Sequence, residues 1–187
     1  MSDFTIHTVA TAPEAARPLL QGARSKLGFV PNLYASLAEA PAALQGYLML
    51  SDLLGETSLT PIEQQVLALA VSAENGCGYC VAAHSTIARH MVQVPGDIID
   101  ALRAGQAIPD DRLEALRRYA EATVRHRGEV RGKVLGAFLA AGFTRRQAIE
   151  VVLGVAMKTL SNYANHLFDT PVDTAFQAES WPPARAA

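Results

Sequence analysis

Cysteine is scarce in this chain: there are two in 187 residues, Cys77 and Cys80. Two thiols lying three residues apart cannot staple a fold, so a secreted disulfide scaffold is excluded and the pair is left for redox chemistry or metal binding. Charge is also sparse, at 18% of residues with a formal net charge of -2. That balance supplies no field for gripping nucleic acid or an anionic membrane. Arg117, Arg118, Arg125 and Arg127 cluster, but acidic residues sit among them, which reads as a solvated helix face. Long apolar runs are missing too. Those around Leu67 to Ala73 and Val151 to Met157 fall far short of the roughly 20 residues needed to cross a bilayer, so no span is expected. Met1 to Thr11 lacks the basic-then-apolar order of a secretory signal, and a cytoplasmic protein is expected. Aromatics make up only 6% of residues, and alternating stretches of branched and aromatic residues are nearly absent, which argues against a sheet.

What is present is apolar material, 50% of residues, enough for one substantial core in a single domain spanning 1–187. Helix signals run from end to end, and the fold class read from them is all-α. A capping-box pattern at Thr11 and Glu14 predicts a helix over Pro13 to Leu27, with Pro18 kinking it or delaying its start. Phe29 to Leu33 is a short extended link before an apolar turn at Tyr34 to Ala38. Pro41 opens a helix to Gly55, and Thr60, Pro61 and Glu63 together mark the start of another, reaching about Ser72. Asn75 and Gly76 break the chain, and a helix beginning at or near Cys77 is expected to reach about Met91. Further helices are predicted at about Pro95 to Ala104, Pro109 to Arg127 and Val130 to Ala141. The last and longest, Thr144 to about Phe168, has a second capping box at Thr144 and Gln147. Its apolar residues Ile149, Val152, Leu153, Ala156 and Leu160 predict the buried face. Beyond Asp169 the prolines at 171, 182 and 183 suggest a loose tail, about 170–187, that wraps a neighbour.

The chemistry concentrates in NGCGYCVAAH. On a helix Cys77, Cys80 and His84 share nearly one stripe, and the first turn offers unpaired N–H groups and the positive end of the helix dipole to a thiolate. A neutral His84 can take the proton of Cys80 or pass it to water, and the spacing allows a short disulfide after oxidation. Two other readings stand beside this one. Buried thiols can merely fill core space, and zinc can use thiolate, thiolate and imidazole with His90 or His166 as a fourth ligand. The absence of a second CxxC or an HxxxH pair, and the crowding of three ligands into eight residues, count against the metal. His166, beside Asn162, Tyr163 and Asn165, is read as part of a polar structural network.

The stretch LTPIEQQVLALAVSAENGCGYCVAAH, residues 59–84 and the centre of a redox core at about 59–92, resembles the core of the alkylhydroperoxidase D and carboxymuconolactone decarboxylase superfamily. Similarity extends to GFVPNLY at 28–34, DALRAGQAIPDDRLEAL at 100–116 and TLSNYANH at 159–166, which resemble its peroxidase-related branch. The resemblance implies an AhpD-like all-helical bundle assembling as a homotrimer or homohexamer. It also implies that Cys80 attacks peroxide, that Cys77 resolves the sulfenic acid into a disulfide, and that His84 relays the proton. The family's relay glutamate falls on Gln65, which cannot be a base. Glu63 should face elsewhere on its helix, so Glu74 or His84 alone is expected to take over while Gln65 orients a water. Tyr79, where some members carry histidine, can donate to peroxide oxygen or pack against the next helix.

The function expected from all this is a thiol-dependent peroxidase acting on alkyl hydroperoxides or hydrogen peroxide. The reductant is a thiol donor such as a lipoyl or thioredoxin-like protein, and no metal or bound organic cofactor is required. Two alternatives remain. One is a decarboxylase of a carboxylated lactone, which should offer a cationic clamp where only Arg89 is basic near the motif. The other is a non-enzymatic redox-sensing oligomer.

Overall fold

The computed structural model describes residues 4–182, and these form a helical bundle without a strand. Its helices are α1 Arg17–Leu27, α2 Asn32–Leu37, α3 Pro41–Gly55, α4 Pro61–Glu74, α5 Gly78–Ile87, α6 Gly96–Ala104, α7 Asp111–Arg125, α8 Gly132–Ala140 and α9 Arg145–Phe168. Among the described residues no helix is long and apolar enough to cross a membrane.

Helix α4 sits in the middle, packed by α5, α7 and α9, and every residue from Val66 to Ser72 is buried. A helix apolar on all sides can be satisfied only by such encirclement. Its start follows the predicted capping box: Thr60 Oγ1 accepts from Glu63 N at 3.2 Å and Glu63 Oε2 accepts from Thr60 N at 2.8 Å. Caps of this kind contribute about 1 kcal/mol. The second predicted box, Thr144 with Gln147, is also formed and opens α9.

Several expectations are corrected. Thr11 and Glu14 make no capping box, because the Thr11 hydroxyl is taken by Thr8 N at 2.9 Å; a short 3-10 turn at Glu14–Ala16 precedes α1, whose first turn holds Pro18. Helix α5 ends at Ile87 instead of Met91, passing into a π turn at Ala88–Val92 that Gln93 closes with φ of 59°. The buried face of α9 is not the predicted apolar one. Ile149 and Val152 are 71% and 43% exposed, while Val151, Gly154, Met157, Lys158, Ser161, Asn162 and Asn165 face inward. Gly154 suits that orientation: a Cβ there would overlap Leu67 Cδ2 of α4, so a larger residue would force the Leu67 side chain to move.

The expected loose tail packs on its own chain, at least over 170–182; residues 183–187 lie outside the described residues. Asp173 accepts from Asn32 N at the start of α2 and from the Tyr79 hydroxyl at 2.5 Å, and Phe176 meets Tyr79 edge to face. Glu179 pairs with Arg89 at 2.8 Å, and Trp181 Nε1 donates to Arg103 O. This strap roofs α5 through hydrogen bonds to residues far away in the chain, which its prolines and small residues did not advertise.

Candidate active site

The break at Asn75 and Gly76 is made by Gly76, which takes φ of +67°, and the chain then turns back so that Cys77 becomes the N-cap of α5. Cys80 follows in the first turn and His84 one turn below. Both cysteines are free and buried, each 1% exposed. Cys77 thus stands at the helix end and Cys80 within the turn whose N–H groups lack helical partners.

From the opposite side α9 brings a polar row against the sulfurs. Asn165 Nδ2 donates to Cys80 Sγ at 3.3 Å and lies 3.7 Å from Cys77 Sγ, and Ser161 Oγ is 3.8 Å from Cys80 Sγ. Asn165 Oδ1 is buried without a hydrogen-bond partner among the described residues. Lys158, 1% exposed, places Nζ 3.0 Å from His84 Nε2, and His84 Nδ1 is 3.0 Å from Gln65 Oε1. The amide oxygen can only accept and the ammonium can only donate, so the imidazole carries its proton on Nδ1. Both ring nitrogens are therefore occupied.

The electrostatics separate the two thiols. Burial alone would raise Cys80, but the Cys77 thiol hydrogen-bonded to it, the Lys158 ammonium and the Ser161 hydroxyl together hold it well below the ordinary thiol value. Cys77 moves the other way, chiefly because its S–H is shared with Cys80 and also because it is buried. The resting pair is a Cys80 thiolate accepting from a Cys77 thiol. Burial, then the neighbouring Lys158 charge, keep His84 well below its usual range, hence neutral.

A cavity of about 520 Å³ opens onto Cys80, His84 and Lys158 and is walled by Tyr34, Tyr47 and Met157 among other apolar side chains. Cys80 lines it and Cys77 does not. The Arg117 to Glu121 groove between α7 and α8 contains no cysteine and is a field of paired charges, Arg117 being matched by Glu114 and Glu121.

The remaining expected residues fall as follows. Gln65 does reach the site, holding His84. Glu63 faces elsewhere, as expected, bonded to Arg112 at 2.9 Å. Glu74 points away from the thiols into a two-bond pair with Arg125, both at 2.6 Å. Tyr79 is committed to Asp173 and to Leu33 N, and burial raises its phenol first, the Asp173 hydrogen bond second. His166 is exposed and leaves the network read around it, whereas Asn162 and Asn165 are buried. Asn162 accepts from Asn75 Nδ2 at 2.9 Å. Arg89 is turned to Asp100 and Glu179; of the two lysines that line the cavity, Lys26 is exposed and Lys158 is the buried one, which spacing around the motif did not reveal. Among the described residues no three His, Cys, Asp or Glu side chains are grouped to hold a metal.

Residues 36–122 match the model of the carboxymuconolactone decarboxylase family. No curated protein matches the chain significantly. Among solved structures, a peroxidase-related protein of Ralstonia eutropha JMP134 with an alkylhydroperoxidase AhpD core is 26% identical, with a TM-score of 0.83 over 97% of each chain. A peroxidase-related protein of Silicibacter sp. TM1040 is 20% identical, with a TM-score of 0.78 over 95% of this chain and 93% of its own. The debrominase Bmp8, as a cysteine-to-alanine variant in complex with 2,3,4-tribromopyrrole, is 19% identical, with a TM-score of 0.75 over 96% and 97%. At those last two identities the likeness is one of fold. The chain is thus similar to the carboxymuconolactone decarboxylase family over residues 36–122, which include the redox core, and shares its fold with the AhpD-core structure over nearly the whole length.

Proposed function

We propose that the protein is a thiol peroxidase that reduces organic hydroperoxides through Cys80 and Cys77, drawing electrons from a dithiol donor of lipoyl or thioredoxin-like type in the cytosol. The observation that carries this reading is the asymmetry of the pair: a thiolate facing an apolar cavity, with a protonated thiol behind it. Cys80 sulfur attacks the terminal oxygen of ROOH and the O–O bond breaks. Sulfur is oxidised to the sulfenic acid, and the alkoxide takes up one proton to leave as alcohol. Cys77 then displaces the sulfenic hydroxyl, which leaves as water while the disulfide forms. A dithiol reduces that disulfide and returns one proton to Cys77 and one to the site. The largely apolar cavity favours alkyl hydroperoxides over hydrogen peroxide, because an alkyl group can displace water there.

One observation supports a second reading. Lys158 supplies a cation that a decarboxylase would need for a substrate carboxylate, which the basic residues near the motif did not offer. The two separate on the sulfurs, since decarboxylation does not consume thiols. Mixing the reduced protein with cumene hydroperoxide should remove both free thiols, and Cys80→Ser should keep its one remaining thiol, Cys77. Loss of the Cys77 thiol in Cys80→Ser at the wild-type rate would reject Cys80 as the attacking group. Carbon dioxide release from a carboxylated lactone, undiminished by that substitution, would favour the lyase. The resemblance further supports assembly as a homotrimer or homohexamer, for which the outer face of α9 is the surface we assign.

A further inference from the structure

Resting on the peroxidase reading, we propose that Lys158 is the acid that protonates the departing alkoxide, with His84 and Gln65 holding its ammonium in position. Lys158 is 1% exposed, lines the same cavity as Cys80, and hydrogen-bonds His84 Nε2 at 3.0 Å. Among the described residues no carboxylate bonds to it. The acids of neighbouring helices are spent elsewhere: Glu63 on Arg112, Glu74 on Arg125, Glu150 on Arg146 and Ser58, and Asp173 on Tyr79 and Asn32. The counter-charge of the ammonium is the Cys80 thiolate.

That pairing constrains the reaction. Attack converts the thiolate into a neutral sulfenic acid, and without proton transfer a buried ammonium and a new alkoxide would remain. Transfer of one proton from Lys158 to the alkoxide removes both charges together, which burial of Cys80 and Lys158 favours. The products are then alcohol, Cys80 sulfenic acid and a neutral Lys158 amine. In the second step the amine takes the proton of Cys77 as its sulfur attacks, and gives it to the departing hydroxide to make water. Reduction by a dithiol releases two protons, one for Cys77 and one that recharges Lys158 against the regenerated thiolate, so the cycle closes.

Other groups at the cavity are poorly suited to the task. Tyr34 from α2, Tyr47 from α3 and Tyr79 from α5 all bind their protons more tightly than free phenols, burial being the main cause; Lys26 is exposed; and Cys77, which does not line the cavity, also holds its proton tightly because it is shared with Cys80. His84 has no proton on the nitrogen that faces Lys158, and its other nitrogen is turned to Gln65. Gln65 suits this arrangement because its oxygen accepts a hydrogen bond without ever taking the proton. A positioning role for His84 and an acid role for Lys158 follow from the same two contacts.

The test compares leaving groups. An alkyl hydroperoxide expels an alkoxide that needs a proton, whereas a peracid expels a carboxylate that does not. Single-turnover oxidation of Cys80 by tert-butyl hydroperoxide and by peracetic acid is followed in the wild type and in Lys158→Met. The substitution should slow the alkyl hydroperoxide reaction by about 100-fold or more, the usual contribution of general acid catalysis, and the peracid reaction by at most about tenfold. Lys158→Arg, which keeps the charge but not a transferable proton, should show the same selective loss, and serves if the Met variant does not fold. Equal slowing of both oxidants, or slowing of neither, overturns the assignment of Lys158. Failure of the wild type to react with either oxidant would instead overturn the peroxidase reading on which it rests.

Discussion

At the scale of single residues, the site works by making two chemically identical side chains unequal. Cys80 has the ammonium, the hydroxyl and the cavity; Cys77 has the burial and the shared proton. Asn165 bridges them from α9. His84 also leaves a mark on stability. Its folded imidazole is held well below the ordinary 6.5 by burial and by Lys158. Below that pH the unfolded chain binds a proton that the folded chain refuses, so this contribution is complete above about 6.5 and is lost as the pH falls toward the folded value. Urea unfolding between about pH 6.5 and pH 5.5 should show about 1 kcal/mol of destabilisation from this group. The His84→Gln variant should lose that part of the slope, and an identical pH profile in the variant would contradict the assignment.

At the scale of elements, two pieces of chain converge on α5. Helix α9 reaches it because Gly154 lets α9 lie against Leu67, and the next inward turn then delivers Lys158. The strap at 170–182 covers the other side, pinned by Asp173, which serves both the start of α2 and the Tyr79 hydroxyl. Removing that carboxylate strands the buried Tyr79 hydroxyl and the Asn32 backbone N–H. Asp173→Ala is expected to cost about 2 kcal/mol of stability by urea unfolding. It should also raise amide exchange over 170–182 while α4 stays protected. If exchange there were unchanged, the strap would be held by Phe176, Glu179 and Trp181 without Asp173.

At the scale of the whole molecule, α9 divides the labour between its faces. The inner face is polar and builds the site; the outer one leaves Ile149, Tyr163 and Leu167 exposed at 71%, 59% and 55%. An apolar groove formed by Phe4, Ala43, Leu160, Tyr163 and Leu167 continues that surface. Contiguous apolar area of this sort is what association surfaces are made of. With the assembly proposed above, the paired substitution Tyr163→Glu and Leu167→Glu should reduce the molar mass measured by light scattering to that of a smaller species. A wild type already monomeric, or a variant of undiminished mass, would remove this face from the account.

The sequence by itself determined the all-helical class, the capped start of α4 at Thr60, the turn at Gly76 and the CxxC-to-histidine stripe of α5. Each depends on side chains acting within a few residues of themselves, through caps, turn angles and helical spacing. Tertiary structure decided the rest. It set which face of α9 turns inward, what replaces a glutamate at Gln65, which cysteine meets the cavity, and where 170–182 comes to rest. Apolar periodicity selected Ile149, Val152 and Leu160 for the core, yet Lys158, Ser161 and Asn165 are the residues packed inside. Hydrophobic pattern records only that a face avoids water, and cannot say whether its cover is the same chain. A lysine buried against a thiolate gains its partner from a helix some 80 positions away in the chain, and no spacing within one helix can announce it.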